Sequence, residues 1–317
     1  MDANLPVLAL LGPTASGKTD LALQLARNWP VEIVSVDSGM VYCGMDIGTA
    51  KPSLQEQSEV PHHLIDIRDP TDAYSAAQFR HDAAACVAAI HARGRIPLLV
   101  GGTMLYFRVL RTALAAMPDA DPAIRQALDE EVAAYGLKAL YERLCVQDPR
   151  TAQRLQPTDR QRIQRALEVL QQTGRPLSYW HTQTPSEELP WHSATFWLGL
   201  FPEDRFWLHQ RIERRLEQMW QRGFLEEVWQ LAQRPDLHEQ LPAMRAVGYR
   251  QALQHIQGHI DLETMRDRAL FATRQLAKRQ LTWMRSFAGV QWLDPSVLNT
   301  QTLCKELELV LKKAHNI

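Results

Sequence analysis

The amino-acid sequence predicts an α/β fold, a central parallel sheet flanked by helices, with an all-helical insertion. Three observations carry this. Short continuous apolar runs alternate with helical stretches through the first hundred residues, the pattern of parallel strands buried on both faces and joined by crossover helices. The first run delivers the chain into a glycine-rich phosphate-binding loop at a strand-to-helix junction. Residues 121–180 then contain no strand-like run at all.

The elements follow in order. "VLALLG" (7–12) is an apolar run ending in glycine, and a helix from Gly17 to about Asn28 follows it. "VEIVSVD" (31–37), rich in Val and Ile, is a second strand and "HHLID" (62–66) a shorter third. A helix from about Ser75 to Ala92, stopped by Gly94, leads into "RIPLLVGG" (95–102), the fourth. In the insertion, Asp121 and Pro122 suit the N-cap and first helical positions, and Thr158 with Gln161 forms a capping-box pattern whose helix Gly174 and Pro176 close. "TFWLGLF" (195–201) brings back a strand, expected to rejoin the first sheet. Long helices are expected over about 203–233 and 261–287, with "VQWLD" (290–294) as a last strand. This divides the chain into a core of residues 1–117 and 191–317 around an insertion of residues 118–190, with "TQTPSEELP" (182–190) as the hinge.

Composition narrows the function class. A chain of 317 residues has room for about two domains, and 45% hydrophobic with 22% charged residues describes a globular protein rather than a disordered one. Net charge is −1, yet basic residues gather in 150–175 and 266–285, so a local basic surface is expected. Cys43, Cys86, Cys145 and Cys304 form no C-x-x-C pair, which argues against structural zinc and for free thiols in a reducing compartment. No apolar run approaches the ~18 residues of a membrane span, and the N-terminal MDANLP lacks the basic start of a signal peptide. The expectation is a cytoplasmic protein without membrane contact.

The chemistry-bearing residues begin with G-x-x-x-x-G-K-T. Gly12, Thr14, Ala15, Ser16 and Gly17 offer backbone N–H groups and a helix N-terminus to an oxyanion, Lys18 balances its charge, and the Thr19 hydroxyl suits a Mg²⁺ ion. This is a diphosphate-type site in a P-loop NTPase-like core. Asp37 follows the second strand directly, so its carboxylate is expected at the same sheet edge, as proton acceptor, metal holder or turn residue before "SG". Where many P-loop NTPases carry an acid, the fourth strand ends in Gly101 and Gly102, which permit close approach of a bulky ligand. Asp66 of "HLID" is the alternative for that acid. Thr103 reads equally as a hydrogen-bond donor across the site and as the N-cap of a helix at "MLYF".

Arg162 and Arg165 stand three apart on one helical face, opposite a buried stripe of Ile163, Leu167 and Leu170. Arg274, Lys278 and Arg285 form a second basic set with Arg279 alongside and Trp283 adding an aromatic; neither set shows matching acids. Such faces suit a phosphodiester backbone, a solvated helix surface being the other reading. Arg211, Arg214 and Arg215 occupy another helix, one of them placed for a diphosphate. Trp207, Trp220 and Trp229 fall at helical spacing and read as packing residues, and His62 and His63 have no partner at metal-ligand spacing. On these residues alone, an ATP-dependent small-molecule kinase and an RNA-binding NTPase switch remain open beside a group-transfer enzyme.

"GPTASGKT", "VDSGMVYCGMDIGTAKP", "HHLIDI", "VGGTMLY", "RIQRALEV", "RAVGYRQ" and "RQLAKRQLTWMR", in that order over nearly the whole chain, resemble the bacterial tRNA dimethylallyltransferases, or tRNA isopentenyltransferases. The resemblance implies transfer of a dimethylallyl group from dimethylallyl diphosphate to N6 of the adenosine 3′-adjacent to the anticodon, with Mg²⁺ and release of diphosphate. It further implies that Thr14 to Thr19 bind the diphosphate, that Asp37 is the general base, that Thr103 lines the channel where base and donor meet, and that Arg215 assists the departing diphosphate. Contact with the tRNA anticodon stem-loop is implied for Asp37, Ser38, Gly39, Met40, Thr103 and Arg125, and for Gln161, Arg162, Ile163, Gln164 and Arg165. The same holds for Arg245, Ala246, Val247, Gly248, Tyr249 and Arg250, and for Lys278, Arg279, Gln280, Trp283 and Arg285. A monomer is expected. The cysteine- and histidine-rich C-terminal finger of eukaryotic members has no counterpart here, which fits a bacterial protein.

Overall fold

Strands buried on both faces must lie in the middle of a layered fold, and the apolar runs do so. Val7–Leu11 (β1), Val31–Val36 (β2), His62–His63 (β3), Ile96–Gly101 (β4), Thr195–Leu200 (β5) and Gln291–Leu293 (β6) form one all-parallel sheet, ordered β3-β2-β4-β1-β5-β6. Every residue of β1, β2 and β4 is buried, as parallel strands covered by helices require. The computed structural model describes residues 6–112, 117–183 and 188–315. Two compact units make up the chain, one running to Arg111 and resuming at Leu189, the other spanning Thr112–Glu188.

In the first unit, α1 (Lys18–Asn28), α2 (Leu54–Glu59), α3 (Ala76–Ala92) and α4 (Met104–Arg111) precede the insertion. Leu21 and Leu25 of α1 join Leu8, Leu10, Leu98 and Leu198 of the sheet in one apolar core. Ser75 caps α3 through a reciprocal capping box with Gln78. Register is what matters for function. Leu11 and Val36 both pair with Gly101, so β1, β2 and β4 end at one level and Gly12, Asp37 and Gly102 leave the sheet side by side. Gly101 is required there, since a Cβ would run into the Val36 carbonyl.

The insertion unit holds α5 (Pro122–Gln147), α6 (Pro149–Ala152), α7 (Arg160–Thr173) and α8 (Leu177–Trp180). Its core joins Leu128, Leu140, Leu144, Ile163, Ala166 and Leu167. The fully buried Glu168 carboxylate is satisfied by Asp121 N–H at 2.8 Å, Arg125 Nε at 3.1 Å and Arg165 NH1 at 2.9 Å.

Several expectations need correction. The helix expected from Thr158 is capped by Asp159, whose carboxylate accepts from Arg162 N–H. The basic run there does have matching acids: Arg160 pairs with Asp129, Arg162 with Asp159, and Arg165 with Glu168. Ile163 is fully buried in the insertion core. "HHLID" contributes only His62–His63 as strand, because Leu64 and Asp66 take positive φ and turn the chain. The helix expected over 203–233 is two, α9 (Arg205–Gln221) and α10 (Phe224–Ala232), broken where Gly223 adopts φ +91°. Trp229 is 48% exposed rather than packed inside. After these come α11 (Tyr249–Ile256), α12 (Leu262–Met284) and α13 (Thr300–His315). Part of the expected hinge, residues 184–187, lies outside the described residues. Among the described residues no helix is long and apolar enough to cross a membrane.

Candidate active site

The loop between β1 and α1 is shaped by its glycines and by Ala15, which takes φ +62°. A Cβ on Gly12 would sit 2.7 Å from Ser16 Oγ and 3.1 Å from the Lys18 chain, so only glycine lets the loop close over its own lysine. Lys18 Nζ donates to the Pro13 carbonyl at 2.7 Å. Burial, then the like charge of Arg215, draws the Lys18 ammonium down to about 7, Asp37 opposing. An ammonium drawn down this far is the signature of a cation that lacks its full complement of negative charge.

Two side chains from later elements pin the loop from outside. Gln280 of α12 accepts from Thr14 N–H at 2.9 Å and donates to the Gly102 carbonyl at 2.8 Å. Its amide therefore bridges the phosphate loop and the end of β4. Arg211 of α9 donates through Nε to the Ala15 carbonyl at 2.7 Å and stacks on Trp207. Arg215, one turn on, donates to the Thr49 carbonyl at 3.4 Å. Burial lowers its pKa, against the pull of Asp37 and Asp20.

Asp37 is both of the things its sequence allowed. Its Oδ1 accepts from Gly39 N–H at 2.8 Å and Met40 N–H at 3.3 Å, an Asx-type turn, while Oδ2 has no hydrogen-bond partner among the described residues. Thr103 faces across the site: its Oγ1 accepts from Ser38 N–H at 3.0 Å and donates to Ser38 Oγ at 3.3 Å. Asp66, the alternative acid, is ion-paired to the buried Lys51. It is committed to the turn it stabilises.

The segment after Asp37 is held by a residue that no sequence pattern singles out. Glu227 of α10 accepts from Asp46 N–H at 2.9 Å, Ile47 N–H at 2.6 Å and Gly48 N–H at 3.1 Å, and from the Tyr249 hydroxyl at 2.5 Å. Burial and the adjacent Glu227 charge push the Tyr249 phenol far above its ordinary pKa. Gly48 fits only because it has no Cβ to strike Phe224 and Tyr249.

Several of these residues line one cavity of about 520 Å³. Thr14, Lys18, Thr19 and Arg215 stand at its polar end, with Asp37 and Thr103 beside them. Ile33, Met40, Val100, Met104, Leu105 and Leu276 form an apolar wall. Ser38, Gly39, Arg245, Ala246, Val247, Tyr249, Arg279, Gln280 and Trp283 also border it. Ala15, Ser16 and Gly17 border a second cavity of about 490 Å³ with Arg211, Arg214 and Arg222; it shares Lys18, Thr19 and Arg215 with the first. Gly248, Arg250, Lys278 and Arg285 stand outside the main cavity; Lys278 is exposed and Arg285 covers Phe201. Arg125 and Gln161 to Arg165 belong to the insertion unit.

The sequence model of the IPP transferase family matches residues 40–287. A tRNA dimethylallyltransferase of Alkalilimnicola ehrlichii is 57% identical, over 92% of this chain and 91% of its own. One from Thioalkalivibrio sulfidiphilus is 52% identical, over 98% of this chain and 96% of its own. Among solved structures, the full-length tRNA isopentenylpyrophosphate transferase of Bacillus halodurans aligns with a TM-score of 0.69 at 35% identity, covering 98% of each chain. A eukaryotic dimethylallyltransferase acting on tRNA gives 0.77 at 28% identity, covering 96% of this chain and 77% of that one.

Glu227→Gln keeps one acceptor but turns an amide NH₂ toward the backbone donors of residues 46–48. It is expected to lower unfolding free energy by about 1–3 kcal/mol, read from the urea midpoint; an unchanged midpoint would mean that water replaces the carboxylate at no cost.

Proposed function

The chain belongs to the IPP transferase family, the tRNA dimethylallyltransferases, and on that premise we propose the reaction its residues carry out. A dimethylallyl group passes from dimethylallyl diphosphate to N6 of the adenosine 3′-adjacent to the anticodon in tRNA, and diphosphate leaves. One observation supports this reading above all: a single cavity joins a phosphate loop, an unpartnered carboxylate oxygen and an apolar wall. A nucleoside triphosphate would have little use for that wall.

The diphosphate lies against the loop of Thr14 to Thr19 and the N-terminus of α1, with Lys18 and Arg215 taking its charge. The dimethylallyl chain follows Ile33, Val100 and Leu276. N6 of the adenine attacks the first carbon of that chain, the carbon–oxygen bond to the diphosphate breaks with its electron pair leaving on oxygen, and the N6 proton passes to Asp37 Oδ2. Thr103, tied to Ser38, fixes the wall opposite Asp37. Aromatic amines are weak nucleophiles, so proton removal and stabilised departure must act together. The adenine reaches this depth by leaving its stack, at a cost of a few kcal/mol that is smaller in a loop than in a duplex.

Mg²⁺ fits the residues present. The Thr19 hydroxyl borders both cavities and has no hydrogen-bond partner among the described residues, and this ion takes hard oxygen ligands largely from phosphates and water. Held by Thr19 and the diphosphate oxygens, it would neutralise charge on the leaving group. The insertion unit would grip RNA through Arg125, Gln161, Arg162, Gln164 and Arg165, and the core through Arg245 to Arg250 and Lys278 to Arg285. A monomer in the cytoplasm suffices for this chemistry.

Asp37→Ala should reduce turnover by at least about a hundredfold while RNA affinity stays within about threefold; near-normal turnover would remove Asp37 from its role. Lys18 gives a sign-defined pH effect. With an ammonium pKa of about 7 in the empty site and a higher value beside bound diphosphate, donor binding at pH 8 takes up a proton, so affinity falls as pH rises above 7. Calorimetry in two buffers of different ionisation enthalpy should detect that uptake, and Lys18→Arg should abolish it; equal heats for the wild type would contradict it. Replacing Lys278 or Arg162 by Ala should cut the salt slope of RNA binding by about one. Unchanged slopes would make those faces merely solvated.

A further inference from the structure

Beside the main cavity runs an open groove of about 520 Å³ between α11 and α12. Its lining is unlike the cavity's. Arg250, Arg268 and Arg279 supply three guanidinium groups, Phe271 lies 65% exposed among them, and Gln275 and Asp267 add an amide and a carboxylate. None of the three arginines forms an ion pair among the described residues. The open Phe271 ring and the surrounding guanidinium groups together offer a stacking face and positive charge in one groove.

We propose that this groove is a nucleotide subsite, taking the unpaired nucleotide that adjoins the target adenosine. The inference rests on the RNA-modifying reading above and extends it to residues that reading does not use, Phe271 and Arg268. Continuity is the first argument. Val247 and Arg279 border both the groove and the main cavity, so an adenine entering the cavity brings its chain neighbour to the rim of the groove. Chemistry is the second: a base stacks on Phe271, its phosphate meets Arg250 and Arg268, and Gln275 and Asp267 face the polar base edge. Apolar peptide or a second protein copy would leave three guanidinium groups with only the Asp267 carboxylate in the groove to balance them, whereas a nucleotide supplies a further anion.

The test uses the full-length protein and an anticodon stem-loop RNA carrying a fluorescent purine analogue at each nucleotide flanking the target adenosine in turn. For one of those positions, binding to wild-type protein should quench the analogue as it stacks. Phe271→Ala should abolish that quench and weaken binding about tenfold, as loss of a base–aromatic stack does, while Phe271→Trp restores both. Arg268→Ala should weaken binding and lower the salt slope by about one. Both side chains are exposed, so folding is not at issue. If Phe271→Ala and Arg268→Ala bind with wild-type affinity, quench and salt slope while the wild type still modifies the RNA, the subsite is refuted and the reaction stands. If the wild type neither binds nor modifies the RNA, the reading itself fails and takes the subsite with it.

Discussion

The site depends on one electrostatic constraint: a half-buried lysine and a half-buried arginine line the same cavity with too little negative charge around them. Burial, then Arg215, disfavours the Lys18 ammonium, and burial, with Arg211, disfavours the charged Arg215, while Asp37 compensates both. A multivalent anion entering at the phosphate loop relieves all of it at once. The protein thus holds, before any ligand arrives, the charge distribution suited to a departing diphosphate.

Such a centre would relax if its backbone could move, and three anchors prevent this. The common end level of β1, β2 and β4 sets the loop, Asp37 and the two glycines side by side. Gln280 and Arg211 reach in from α12 and α9 to fix the Thr14 N–H and the Ala15 carbonyl, and Glu227 gathers three consecutive N–H groups of the following segment. Gln280 sits on the same helix as Lys278, Arg279 and Trp283. The Gln280 amide thus ties α12 to the glycine-rich loop.

Much of this was legible in the chain itself. The strand-loop-helix context of Gly12 to Thr19 and the apolar runs before it are local patterns, and local physics decides them. Asp37 was placed by its position just past a strand, and its double role as turn former and free acceptor follows from having two oxygens. What escaped was non-local. Gln280 reads as one more polar residue on a basic helix, and the resemblance assigned it to RNA; its bonds to Thr14 and Gly102 depend on how α12 lies over the sheet. Glu227 carries no motif because its partners are backbone groups about 180 residues away. Of the acids opposite Arg160, Arg162 and Arg165, only Asp129 lies on another helix; Asp159 and Glu168 stand three residues from their partners and were legible in the chain. The break at Gly223 was hidden by an apolar period that continues across it.

In the proposed reaction the loop steadies a leaving group while carbon, rather than phosphorus, is attacked. The most direct measurement follows the oxygen atom bridging carbon and phosphorus in the donor, labelled with a heavy isotope. After turnover with RNA, all of the label should be found in the released diphosphate, and the RNA should gain only the mass of the hydrocarbon chain. Label retained on the RNA, or an RNA product heavier by a phosphoryl group, would contradict it.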